Sequence, residues 1–138
     1  MIVLVDTPVW SLALRRRHSV LNAEERRIAA ALTELIREGR AQLIGPIRQE
    51  LLSGIRDEGQ FEKLCESLQA FECPRLEIAD YEEAARMHNE CRRRGIAGSP
   101  TDFLICSAAR GRGWEIFTTD KDFERYARAL PVRLYAVT

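Results

Sequence analysis

Near its start the chain runs four apolar residues, Ile2-Val3-Leu4-Val5, directly into an aspartate, Asp6. An unbroken apolar run this short suits a strand buried on both faces, as at the centre of a parallel sheet. Thr7-Pro8 then turns the chain into a helix, because proline cannot donate to a sheet ladder but fits the first helical turn. A parallel strand needs a crossover connection, usually a helix, before its neighbour can be laid down. In such open α/β sheets, ligands bind beyond the carboxyl ends of the strands. Asp6 is placed at that edge, and it also fits a plain helix N-cap.

The remaining pattern alternates as this start requires. A helix is predicted over Pro8–Leu14, followed by the basic cluster Arg15-Arg16-Arg17-His18. A long helix follows over Ala23–Glu38, opened by Asn22 with Glu25 as a capping box and stopped by Gly39. Ala41–Ile44 reads as a strand, and Gly45-Pro46 opens a helix carrying Ile47, Leu51 and Ile55, with Glu50 flanking that stripe and turned from open water. Helices over Gly59–Leu68 and Asp80–Arg94 flank a short extended piece, Leu76–Ile78. Ser99-Pro100-Thr101-Asp102 opens an apolar helix through Ala109, Glu115–Thr118 is a strand, and Thr119–Phe123 opens a helix to Ala129. Pro131–Ala136 closes as an edge strand. Strand and helix in alternation predict an α/β fold with a central, mostly parallel sheet flanked by helices.

Composition narrows the function. A length of 138 residues suits one domain over the whole chain. With 21 basic and 21 acidic residues the formal charge is zero, which excludes a wholesale basic coat for nucleic acid but not a local patch. Cys65, Cys73, Cys91 and Cys106 form no metal-binding pairs and read as reduced thiols, mostly buried. No apolar run approaches membrane-spanning length. The opening run has neither the basic lead nor the length of a signal peptide, so a cytoplasmic protein is expected.

The chemistry rests on acids. Asp6, Glu50, Asp102, Asp120 and Asp122 each stand where a strand ends or near where a helix starts. Taken singly, each fits capping or solvation: Ser99-x-x-Asp102 and Thr119-x-x-Asp122 are capping-box patterns. Taken together on one edge, the acids repel unless a cation sits among them. Mg²⁺ or Mn²⁺ prefers carboxylate oxygens and keeps several waters.

These stretches resemble the PIN-domain family, most closely the small ribonuclease toxins of VapBC-type toxin–antitoxin pairs. Ile2–Trp10 resembles the family's first strand and first acid, and Gln49-Glu50-Leu51 its second acid. Thr101–Ala109 resembles the third-acid helix, and Phe117–Phe123 the closing motif, with the Thr118 hydroxyl two residues before Asp120. Pro8 departs from the small polar residue more usual there.

The resemblance implies a three-layer PIN-like fold and a Mg²⁺- or Mn²⁺-dependent endoribonuclease, the toxin of a type II pair. Asp6, Asp102 and Asp120 would hold the metal, with Asp122 direct or through water. Glu50 would hold a second metal or orient the attacking water, and Thr118 would support a ligand carboxylate. It further implies an RNA substrate, a cognate antitoxin, a homodimer, no membrane, and products bearing a 5′-phosphate and a 3′-hydroxyl. Arg15, Arg16 and Arg17 are candidate RNA contacts, since phosphate binding needs clustered cations. His18 and His88 have no ligating partners in the sequence, and Trp10 and Trp114 read as core or interface. A haloacid-dehalogenase-like phosphatase would need a second acid where Pro8 stands. A phospho-acceptor receiver would need paired acids after the first strand. A catalytically silent PIN-like module binding RNA or protein is the remaining alternative.

Overall fold

The structure, a computed structural model, describes residues 1–16 and 18–138. Its centre is β1 (Val3–Val5), with every side chain fully buried. β2 (Ala41–Gln42) and β3 (Glu115–Phe117) pair on either side of it, both parallel, giving the order β2-β1-β3. Strands of two or three residues suffice because the sheet is covered by helices, and helices supply most of the core. The β1 ladder continues into the site: the Asp6 amide donates to the Phe117 carbonyl at 2.8 Å.

Asp6 ends β1 and caps α1 (Thr7–Leu14), whose Trp10 is fully buried and donates its indole N–H to the Val5 carbonyl at 2.8 Å. α2 (Ala23–Arg37) opens with the reciprocal capping box of Asn22 and Glu25, and Gly39, at φ +71°, reverses the chain where a side chain would be strained. α3 (Gly45–Leu52) and α4 (Glu58–Leu68) follow β2. α5 (Ile78–Arg93) packs on α6 (Pro100–Arg112), whose buried Cys106, Ser107, Ala108 and Ala109 are small enough for close approach. α7 (Asp122–Ala129) comes after β3 and buries Phe123 and Tyr126.

Several expected elements are corrected. The strand expected over Ala41–Ile44 ends at Gln42: Leu43 and Ile44 are buried, and Ile44 serves as the cap residue of α3. Of the extended piece expected over Leu76–Ile78, Glu77 is extended but pairs with no strand among the described residues, and Ile78 already belongs to α5, opened where the Asp80 carboxylate accepts the Glu77 amide at 2.8 Å. The edge strand over Pro131–Ala136 reduces to one bridge, Leu134 to Ile116, because the Val132 amide turns back onto the Leu130 carbonyl. Of the cysteines only Cys91 and Cys106 are buried; Cys65 is half-buried, and Cys73, in the loop before α5, is exposed. Among the described residues no helix is long and apolar enough to cross a membrane.

Candidate active site

The carboxyl ends of β1 and β3 bring Asp6 and Thr118 together across 112 residues of chain. Asp6 is 5% exposed, and both its oxygens are engaged. Oδ1 accepts the Thr7 amide at 2.8 Å, and Oδ2 accepts the Thr118 hydroxyl at 2.7 Å. Thr118 Oγ1 in turn accepts the Asp120 amide at 3.0 Å, and Asp120 Oδ1 accepts the Asp122 amide at 2.9 Å. Thr7 works in two directions, since its hydroxyl also donates to Glu50 Oε2 at 2.5 Å. A continuous chain of hydrogen bonds thus links Glu50, Thr7, Asp6, Thr118, Asp120 and Asp122. Asp102 is held from another side: its amide donates to the Ser99 hydroxyl at 3.1 Å, and its Oδ2 accepts the Tyr126 phenol at 2.7 Å.

Charge accumulates here. Burial pushes the Asp6 carboxyl up to about 6, and the fields of Asp102 and Glu50 act in the same direction, against the hydrogen bonds from Thr118 and Thr7. The Asp102 carboxyl is also raised, first by burial and further by Asp120, while Tyr126 and Ser99 oppose the rise. Burial and the Asp102 carboxylate together raise the Tyr126 phenol. Asp6 therefore lies in the fields of Asp102 and Glu50, and Asp102 in that of Asp120.

Other expected residues sit differently. Glu50 is solvent-exposed, correcting the expectation that it turns from water, and its bond to Thr7 ties it to the site. Thr119 does not cap α7; the Asp120 carboxylate takes the Asp122 amide instead. The Asp122 carboxylate pairs with Arg125 at 2.7 Å, one helical turn along. Arg16 is engaged with Glu25 at 2.8 Å, and Arg15 is exposed beside an open groove of about 750 Å³ with Ile55, Arg56 and Lys63. Arg17 lies outside the described residues. His88 stacks on Phe103, Trp10 is core, and Trp114 is half-buried under the Arg112 guanidinium.

Sequence reasoning missed Thr7 and Tyr126. Tyr126 left a trace, since a tyrosine on the buried face of a helix needs a partner for its hydroxyl. The donors present are hard carboxylate oxygens, the chemistry suited to Mg²⁺ or Mn²⁺. Among the described residues no three Asp, Glu, His or Cys side chains are already gathered around one point.

The fold recurs in solved structures. FitAcB from Neisseria gonorrhoeae matches with a TM-score of 0.76 at 21% identity, covering 98% of this chain and 97% of that one. VapBC2 from Rickettsia felis, bound to a DNA fragment from their promoter, matches at 0.73 and 16% identity, over 98% of each chain. VapBC-5 from Mycobacterium tuberculosis, of the VapBC family of toxin–antitoxin systems, matches at 0.67 and 16% identity, over 99% and 100%. No curated protein is a significant sequence match. The profile of the PIN domain, by contrast, matches residues 3–129, a span that runs from β1 to the end of α7 and takes in all five acids, and this chain belongs to the PIN-domain family.

Proposed function

We propose that this protein is a Mg²⁺- or Mn²⁺-dependent endoribonuclease and the toxin of a toxin–antitoxin pair. PIN-domain proteins are generally divalent-metal nucleases, and the solved relatives include VapBC toxin–antitoxin complexes. The observation that supports the reading is the pair Asp6 and Asp102, two carboxylates each raised first by burial, Asp6 further by the fields of Asp102 and Glu50 and Asp102 further by that of Asp120.

Asp6, Asp102 and Asp120 hold the cation, with Asp122 contributing directly or through water once its pair with Arg125 opens. A cation held there would supply a lowered pKa for coordinated water and charge neutralisation on the transferring phosphate. Thr118 and Thr7 fix the Asp6 carboxylate between them. Glu50, exposed and steadied by Thr7, orients the attacking water, or serves a second ion. Attack on phosphorus breaks the bond to the 3′-oxygen and leaves a 5′-phosphate and a 3′-hydroxyl. Arg15 and the neighbouring Arg16 and Arg17 contact the RNA backbone. The proposal includes a homodimer acting in the cytoplasm and a cognate antitoxin that silences it. An antitoxin cation facing the carboxylates would do so by displacing the metal.

The test is cleavage of labelled RNA by purified protein with Mn²⁺, with Mn²⁺ chelated, and by Asp6→Asn and Asp102→Asn. Metal-dependent cleavage lost in both variants is expected, with end analysis giving 5′-phosphates. A metal-loaded, folded protein that cleaves no RNA would instead be the silent binding module. Growth arrest on induction, relieved by co-expressing the adjacent small reading frame, tests the toxin assignment separately.

A further inference from the structure

We propose that Tyr126 is the positioning residue of Asp102, its buried phenol fixing one carboxylate oxygen so that the group is presented to the cation in a single orientation. This rests on the metal-site reading above. Tyr126, on α7, has no solvent exposure. It meets Phe123 edge-on with centroids 5.0 Å apart and Phe103 tilted at 5.1 Å. Phe103 directly follows Asp102 on α6, and α7 begins just after Asp120. One hydrogen bond of 2.7 Å from Tyr126 Oη to Asp102 Oδ2 therefore ties the α6 acid to the helix carrying the other side of the site. A carboxylate turns about a soft, broad torsion, so a rigid donor is what restricts it. Ser99 takes the Asp102 amide and caps the helix.

Gly98 leaves room for the Tyr126 hydroxyl and for the Phe103 ring beside it. A Cβ there would lie 2.5 Å from Tyr126 Oη and 2.8 Å from the Phe103 ring. Gly98 does not have a positive φ, so glycine is needed for room and not for backbone freedom. A phenylalanine at position 126 would fill the same core, so packing alone does not account for the hydroxyl and its clearance.

The experiment compares wild type, Tyr126→Phe and Gly98→Ala by titration calorimetry with Mn²⁺, by metal-free thermal melts and by RNA cleavage kinetics. Removing a group that orients a metal ligand typically weakens metal binding or activity by about 10–100-fold. Tyr126→Phe is expected to weaken Mn²⁺ by at least about tenfold, to lower kcat, and to leave the KM for RNA and the metal-free melting temperature nearly unchanged. Gly98→Ala is expected to weaken Mn²⁺ when Tyr126 is present and much less when position 126 is changed to Phe. Unchanged Mn²⁺ affinity in folded Tyr126→Phe protein overturns the assignment, whatever its melting temperature. Wild-type protein that binds no Mn²⁺ overturns the metal-site reading itself and this inference with it.

Discussion

Asp6 carries two duties that pull against each other. As the cap of α1 it profits from a full negative charge, yet at 5% exposure among other acids that charge is costly. Its carboxyl, ordinarily near 3.8 and here about 6, binds protons more readily in the folded protein than in the unfolded chain. That difference contributes stability fully below about pH 4, lost as pH rises through about 6, and amounts to about 3 kcal/mol. Metal-free thermal melts from pH 4 to 7 should therefore show declining stability in wild type. Asp6→Asn keeps the cap and should flatten the decline, leaving the variant at least as stable at pH 7. A steeper decline in the variant would refute this. The five acids themselves were legible because each sits beside an apolar run whose period locates the element. Thr7 and Tyr126 were not, because their partners Glu50 and Asp102 lie 43 and 24 residues away and no local period encodes such a meeting.

Elements are held in place by contacts of the same long-range kind. α5 and α6 are stapled by Arg112, which donates to both Asp80 oxygens at 2.9 and 3.0 Å and to the Ala108 carbonyl at 3.2 Å. Ser107, on the buried face of α6, donates to the Asp80 carbonyl at 2.7 Å. The Arg112 guanidinium holds the Asp80 carboxyl below its ordinary range, so the pair's stability is present at neutral pH and lost as pH falls through that lowered value. Arg112→Met should lower stability at pH 7 by about 1.5–3 kcal/mol, the usual worth of hydrogen bonds to a charged group. The deficit should shrink in strong acid, and denaturant melts at pH 7 and pH 3 would show it. Helix boundaries were readable to within a residue or two where caps mark them, as at Asn22 and Ser99. Strand limits were not: Leu43-Ile44 and Val132–Tyr135 look like strand by composition, yet the apolar pair leaves the ladder for the core and the tail makes one bridge.

For the molecule as a whole, the metal reading makes folding and ligand binding one equilibrium. On that reading Mn²⁺ would bind the folded arrangement of acids and not the unfolded chain. At a hundredfold excess over its dissociation constant it should add about 2.7 kcal/mol of stability. The gain should grow from pH 5 to pH 7.5 as protons leave the same oxygens, and Asp6→Asn should remove most of it. A melting temperature indifferent to millimolar Mn²⁺ at pH 7.5 would count against a metal at this edge. The architecture was legible from the alternation of strand and helix around Ile2–Val5. That alternation cannot say how short the strands are, since burial by helices substitutes for ladder length.

The 112-residue span between Asp6 and Thr118 has a consequence for synthesis. β1 leaves the ribosome well before β3 and the Thr118–Asp120 turn that complete its edge, since 112 residues separate Asp6 from Thr118. At about 5–20 residues per second, roughly 6–20 s separate the two. During that interval Asp6 has neither its strand partner at Phe117 nor the hydroxyl that fixes its second oxygen. If the acids form the metal site proposed above, that site cannot be assembled until translation has passed Asp120.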